Sequence, residues 1–218
     1  LVIHGGGPTV VLNSSLYGVV RESQKHLDEI AHVYGARNGV KGLLAGDFID
    51  LLQKSSDEID ALLTSPGTAI GSSRYPLEQE DYERMVDCLE THDIKYVLMS
   101  GGNGTMATCG QLSKTASARH SDIRVIGIPK TMDNDIAVID HSPGYLSAAK
   151  YLMQTTREIT ADVHALPIHV CIIEAMGRNA GWITAASALA ANGDHLSPDL
   201  IYVPERAFDE AKFLRDVK

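Results

Sequence analysis

The chain has 218 residues, with 28 acidic against 19 basic side chains and a formal net charge of −9. That length can bury a sizeable core and hold one large or two small domains. The acidic balance without a basic run argues against a nucleic-acid partner, and no apolar stretch approaches the ~20 residues that span a bilayer. Cys88, Cys109 and Cys171 lie far apart, the histidines show no ligand spacing, and reduced thiols of a cytoplasmic protein are the simplest account.

In chain order, the apolar run at 1–4 reads as a strand. It feeds the turn Gly5-Gly6-Gly7-Pro8-Thr9, after which Asn13 or Ser14 is a plausible helix cap. A second strand is expected at 30–34. Residues 77–91 place Tyr82, Met85, Val86 and Leu89 on one face, the pattern of an amphipathic helix. A strand at 96–100 runs into Ser100-Gly101-Gly102-Asn103-Gly104-Thr105, followed by helical spacing at Met106, Cys109, Leu112 and Ala116. Another strand at 123–128 leads to Pro129-Lys130-Thr131-Met132-Asp133-Asn134-Asp135.

Beyond it, 136–142 reads as a passage between two lobes, with the active site in their cleft. Residues 145–159 group Leu146, Ala149, Leu152, Met153 and Thr156 on a helix face. Strands are expected at 168–174 and 200–203, and an apolar stripe (Ala207, Phe208, Ala211, Leu214, Val217) closes the chain as a helix. Such alternation implies an α/β fold: a mostly parallel sheet flanked by helices, Rossmann-like and three-layered, with ligands at the carboxyl ends of its strands. The chain starts inside one expected element and stops inside another, so it reads as a fragment of a longer parent with the second lobe incomplete. Lobe boundaries of 1–140 and 141–218 follow.

Each of three strand ends carries a turn suited to phosphate. Glycines let backbone approach closely, and a helix N-terminus offers N–H groups and a positive dipole end. Neither GxGxxG nor GxxxxGK[ST] occurs, and no GxSxG elbow surrounds Ser14-Ser15 or Ser72-Ser73. The turn at 129–135 adds chemistry. In an extended segment Asp133 and Asp135 point the same way, so one carboxylate can take a proton while the other holds Mg²⁺ and Lys130 neutralises phosphate. The same residue types also make plain solvated turns.

Six segments together resemble the phosphofructokinase family, which phosphorylates the 1-hydroxyl of fructose 6-phosphate with ATP or pyrophosphate. They are GGPTVVLN (6–13), GARNGVKGLLAG (35–46), PGTAIGSSR (66–74), GGNGT (101–105), PKTMDND (129–135) and EAMGRNAGW (174–182). The resemblance implies roles. Asp133 is the catalytic base, with Thr131 and Lys130 beside it in the catalytic set, and Asp135 stands on the Mg²⁺ side. Gly6, Arg74, Gly102, Asn103, Gly104 and Thr105 meet the donor. Thr131, Asp133, Asp135, Met176, Gly177 and Arg178 meet fructose 6-phosphate. Mg²⁺ is the implied cofactor, with Asn103 and Asp135 as its protein ligands, and a homo-oligomer (dimer or tetramer) is implied for the full-length parent.

Departures matter as well. Asn103 stands where many members have Asp, which removes a charge from the metal side. His169 stands where a basic residue, often Arg, commonly reaches a neighbouring subunit's site. Two donor determinants disagree. Lys130 is typical of pyrophosphate users, whereas Gly104 lacks the Asp side chain that crowds the nucleoside of ATP in those enzymes. The balance of these residues leans to ATP, while the GGPT start leans the other way. Two further readings stay open: another kinase with a GGDGT-type turn, and a non-catalytic phosphate-binding regulatory module.

Overall fold

A computed structural model describes residues 1–166, 170–191 and 198–218. Two compact units make it up, Leu1–Lys130 and Thr131–Lys218.

The first unit is built on β1 (Val2–His4), α1 (Val10–Ser23), β2 (Tyr34–Ala36), α2 (Val40–Ala45) and β3 (Phe48–Asp50), followed by α3 (Ser56–Asp60), α4 (Gln79–Thr91), β4 (Tyr96–Gly101), α5 (Asn103–Ala118) and β5 (Arg124–Pro129). Its sheet has the order β3-β2-β1-β4-β5. The β1–β2, β1–β4 and β4–β5 pairs are parallel, and β3 alone runs antiparallel to its neighbour β2. This is the expected α/β class.

The alternation of β1 sorts the core into two faces. Leu1 and Ile3 enter a buried cluster with Leu43 of α2, Met85, Val86 and Leu89 of α4, Val97 and Met99 of β4, and Leu112 of α5. Val2 enters the other, with Leu16 and Val20 of α1, Ile59 of α3, Leu62 and Ile70. Helices therefore cover both faces of the sheet.

Several expectations shift. The second strand lies at Tyr34–Ala36 rather than 30–34, because its pairing with β1 falls on Gly35 opposite Val2. A glycine strand carries no β-propensity signal. Neither Asn13 nor Ser14 caps α1: the helix starts at Val10 after Thr9, and Asn13 is a buried interior residue.

The second unit contains α6 (Tyr145–Ala165), α7 (Trp182–Ala186) and α8 (Glu210–Asp216). Buried Ala149, Leu152 and Thr156 of α6 form its apolar seam, and buried Ile183, Ala186 and Ala190 belong to α7 and the short 3₁₀ turn after it. Arg157 ties the two by donating to the carbonyls of Leu189 and Ala190 at 3.1 and 3.2 Å. Helix α6 runs six residues past its expected end. Of the strand expected at 168–174, residues 168 and 169 lie outside the described residues and 170–174 are not a strand; neither are 200–203. An apolar run becomes a strand only where a neighbour satisfies its N–H and C=O groups, and the named ladders all belong to the first unit.

Leu112 is fully buried between α5 and the sheet. Leu112→Ala should cost roughly 2–5 kcal/mol in urea unfolding. A loss below about 1 kcal/mol would show that this cluster does not carry the first unit.

Candidate active site

The carboxyl ends of β1 and β4 lie side by side, with His4 paired to Ser100. Chain order reverses between these two strands, and such a switch point is where open α/β sheets take ligands. The Gly5 N–H donates to the Ser100 carbonyl at 2.9 Å and the Gly6 N–H to Ser73 at 3.1 Å. Thr105, in the first turn of α5, wedges between the two turns. A Cβ on Gly5 or on Gly101 would stand 2.2 Å from its Oγ1. Both positions therefore require glycine for close approach, not for an unusual φ.

Two cations meet this turn. The Lys130 ammonium, buried, donates to the Gly7 carbonyl at 2.5 Å. The Arg74 guanidinium overlies the same residue, its Nη2 being 3.2 Å from where a Gly7 Cβ would stand. Gly102 precedes α5 without any side-chain cap, so it leaves the first-turn N–H groups of that helix to other partners. Asn103 is the first residue of α5. Gly104 follows with an ordinary φ, and a Cβ there would meet nothing within 4 Å. A cavity of about 720 Å³ opens beside Arg74, lined also by Arg37, Asn38, Lys41 and Tyr75.

His4 is fully buried beneath the turn, and nothing in the sequence pattern gives it a role. Its Nδ1 lies 2.7 Å from Thr68 Oγ1. Burial, and secondarily the positive charge of Lys130, lower its pKa from 6.5 to about 4.

In the second unit, the Asp133 N–H donates to Thr131 Oγ1 at 3.0 Å, and the Thr131 N–H donates to Pro143 at 3.1 Å. Asn134 adopts φ +56°. Its side chain donates to the Asp140 carbonyl at 3.0 Å and accepts from the Ser142 N–H at 2.7 Å. The segment is thus a pinned turn. The expectation of an extended segment, in which alternation alone aligned Asp133 with Asp135, does not hold, because asparagine takes up the left-handed conformation between them. The Asp133 side chain is only 13% exposed and accepts from Arg178 Nη2 at 3.3 Å. Asp135 is exposed.

Arg178 reaches Asp133 from 45 residues away through a tight turn. Gly177 has φ +141°, and a Cβ there would stand 2.3 Å from the Ala180 carbonyl oxygen. Met176 is 67% exposed and does not fill a core. His169 lies outside the described residues. Among the described residues, no group of three or more His, Cys, Asp or Glu side chains gathers as a metal cluster. Mg²⁺ commonly takes one or two protein oxygens together with waters and substrate phosphates. Taken separately, the exposed Asp135 carboxylate of the second unit and the Asn103 amide of the first each carry an oxygen of the type that mode uses.

Fold and turns define a doubly wound α/β protein whose glycine turns and cations converge at the carboxyl edge of the sheet. The chain belongs to the phosphofructokinase family, whose profile (Phosphofructokinase) matches residues 1–218. It is 42% identical, over all of its length and 53% of the relative's, to a pyrophosphate–fructose 6-phosphate 1-phosphotransferase of Xanthomonas campestris. An ATP-dependent 6-phosphofructokinase of Amycolatopsis methanolica is 34% identical over 95% of this chain and 43% of the relative. The crystal structure of a pyrophosphate-dependent phosphofructokinase from Marinobacter aquaeolei superposes with a TM-score of 0.89 at 39% identity, covering 99% of this chain and 55% of that one. The chain spans about half the length of the curated relatives it matches. Family membership displaces the reading as another kinase with a GGDGT-type turn. The lean towards ATP is not supported, since the pyrophosphate enzymes match at higher identity.

An unfolded histidine takes its proton near pH 6.5, whereas folded His4 takes it only near 4. Unfolding therefore binds a proton between those values, and stability due to neutral His4 is full above pH 6.5, falls through that window and is flat below it. The window is worth about 3 kcal/mol. His4→Asn should flatten this part of the urea-midpoint profile between pH 6.5 and 4. An unchanged slope would remove His4 as its source.

Proposed function

We propose that the full-length protein transfers a phosphoryl group from pyrophosphate to the 1-hydroxyl of fructose 6-phosphate, in glycolysis and in the cytoplasm. Residues 1–140 serve as the donor-binding lobe and 141–218 as part of the sugar-phosphate lobe. The observation that carries this reading is the Asp133 carboxylate, largely shielded, set in a pinned turn and paired with Arg178.

Asp133 takes the proton of the sugar 1-hydroxyl as its oxygen attacks the terminal phosphorus of pyrophosphate. The new O–P bond forms, the bridging P–O bond breaks, and orthophosphate leaves. Lys130 and Arg74 offset charge on the donor, aided by backbone N–H groups near Gly6, Gly102 and Gly104 at the glycine turns. Thr131 and Thr105 line the path of the transferred group, and Met176, Gly177 and Arg178 hold the sugar phosphate. Asp135 and Asn103 would hold Mg²⁺, which would supply further neutralisation of phosphate oxygens. The homo-oligomeric state belongs to the same proposal.

ATP as donor is favoured by one observation, the open space at Gly104. A family member with reduced chemistry, acting as a binding module, is the outcome if neither donor serves.

Parallel assays of the full-length protein with pyrophosphate and with ATP decide the donor. Turnover with pyrophosphate at least about tenfold above ATP is expected, turnover with ATP alone overturns the donor assignment, and turnover with neither overturns the function. Asp133→Asn should lower kcat by about 10²–10⁴-fold with donor KM little changed, as expected for a base acting in the transition state. Near-normal turnover would remove Asp133 from the role.

A Cβ at position 104 meets nothing within 4 Å, and a carboxylate in the first turn of a helix is favourable by about 0.3–1 kcal/mol. Gly104→Asp should therefore fold normally, keep pyrophosphate turnover within about threefold and abolish any ATP use. Equal loss with both donors would sink the role of Gly104 in donor choice.

A further inference from the structure

Residues 64–78, between the 3₁₀ turn Ala61–Leu63 and α4, form neither helix nor strand, yet they deliver Arg74 to the glycine turn. Such an arm has no extended ladder, only an isolated bridge of Ser73 to Gly5 and a few backbone bonds, so side chains share the work of holding it. Asn13 accepts from the Ala69 N–H at 2.8 Å and donates to the Ser65 carbonyl at 3.0 Å. The Asn38 N–H donates to Ile70 at 2.8 Å. At the far end Ser72 Oγ donates to the Gly6 carbonyl at 2.7 Å. Between these anchors lies Thr68, whose Oγ1 contacts both His4 Nδ1 at 2.7 Å and the Gly71 carbonyl at 3.2 Å.

A carbonyl can only accept, so the single hydroxyl proton of Thr68 goes to Gly71. The hydroxyl oxygen then accepts from an Nδ1–H of His4. One proton assignment satisfies both contacts, and it leaves His4 Nε2 bare. That atom is buried without a hydrogen-bond partner. The bond matters for direction. Gly71 turns at φ +77°, packed against Asn38, and the three residues beyond it carry Ser72, Ser73 and Arg74 onto Gly6 and Gly7.

We propose that His4 is a positioning residue: through Nδ1–H and Thr68 it fixes the turn 68–71 to β1 and so sets Arg74 over the glycine turn where the donor phosphates bind. The tether stands on contacts within the first unit. Its consequence for the donor rests on the function proposed above.

The test uses His4→Leu, His4→Asn and His4→Gln in the full-length protein. An asparagine amide nitrogen falls near the place of Nδ1, and a glutamine's near Nε2. In His4→Leu, hydrogen exchange of amides 70–74 should speed up about tenfold or more. Pyrophosphate KM should rise about tenfold, while fructose 6-phosphate KM and kcat stay within about threefold. His4→Asn should restore both readouts and His4→Gln neither. Should the leucine variant not fold, the contrast of Asn with Gln carries the same decision. Unchanged exchange, or rescue by Gln in place of Asn, would overturn the tether. Faster exchange with unchanged donor KM would overturn the positioning role. If the wild-type protein phosphorylates nothing, the proposed function falls, while the exchange data still judge His4.

Discussion

Two strand ends must come within a side chain's width of each other before anything else at this site can be built. Gly5 and Gly101 meet across Thr105 Oγ1, and neither tolerates a Cβ. That contact brings the N-terminus of α5 beside the turn after β1, and it leaves the Gly7 carbonyl where a buried lysine from the end of β5 can reach it. A parallel sheet places such ends together at the switch point as a matter of topology. Topology alone, however, leaves room for side chains between the turns. Glycine at both positions, with threonine filling what remains, converts a neighbourly pair of loops into one continuous surface of backbone. The charges arrive second and depend on it: Lys130 bonds to that surface, and Arg74 lies over it.

The second unit solves a different problem by similar means. Its acidic turn is not extended, so strand geometry cannot aim the carboxylates. Asn134 fixes the turn instead, using both ends of its amide on the chain that follows, while Thr131 bonds the N–H of Asp133. The main chain of Asp133 is held through its N–H by Thr131, and its carboxylate is paired with Arg178, so the side chain is oriented within the folded unit. If Asp133 is the proposed base, preorganisation of that kind lowers the cost of reaching the transition state, since no reorganisation falls within the reacting step.

What the sequence discloses follows from how local each signal is. Strand, glycine turn and helix are consecutive, so β1 and β4 with their turns are legible from alternation and punctuation. Strand β2 is displaced from its expected place because a glycine occupies its pairing position, and β3 escapes notice because three residues at a sheet edge carry no pattern. Asn13 looks like a helix cap in isolation. Only the fold reveals that the chain enters α1 at once and turns this amide to the arm 65–69. His4 is visible only as the last residue of an apolar strand, with nothing local to mark its role. Its partner lies 64 residues away, and no spacing rule reaches that far. Asp133 and Arg178 stand out separately in the sequence, but their pairing across 45 residues is a property of the fold alone.

Donor selection now turns on how two neighbouring features weigh against each other. Lys130 is buried and donates to the Gly7 carbonyl at 2.5 Å, so its charge lies against the glycine turn. If the proposed function holds, a compact ammonium there favours a short, highly charged donor, whose negative charge is concentrated near it, over a long one whose charge trails outward. Gly104 sets no matching obstacle, because open space excludes nothing. Discrimination in this chain would then come from attraction rather than from repulsion, and attraction alone separates two phosphate donors less sharply than attraction joined to a clash. On the proposed donor reading, the same geometry favours pyrophosphate yet leaves the site permissive, and a carboxylate at position 104 would supply the repulsive element that Gly104 lacks.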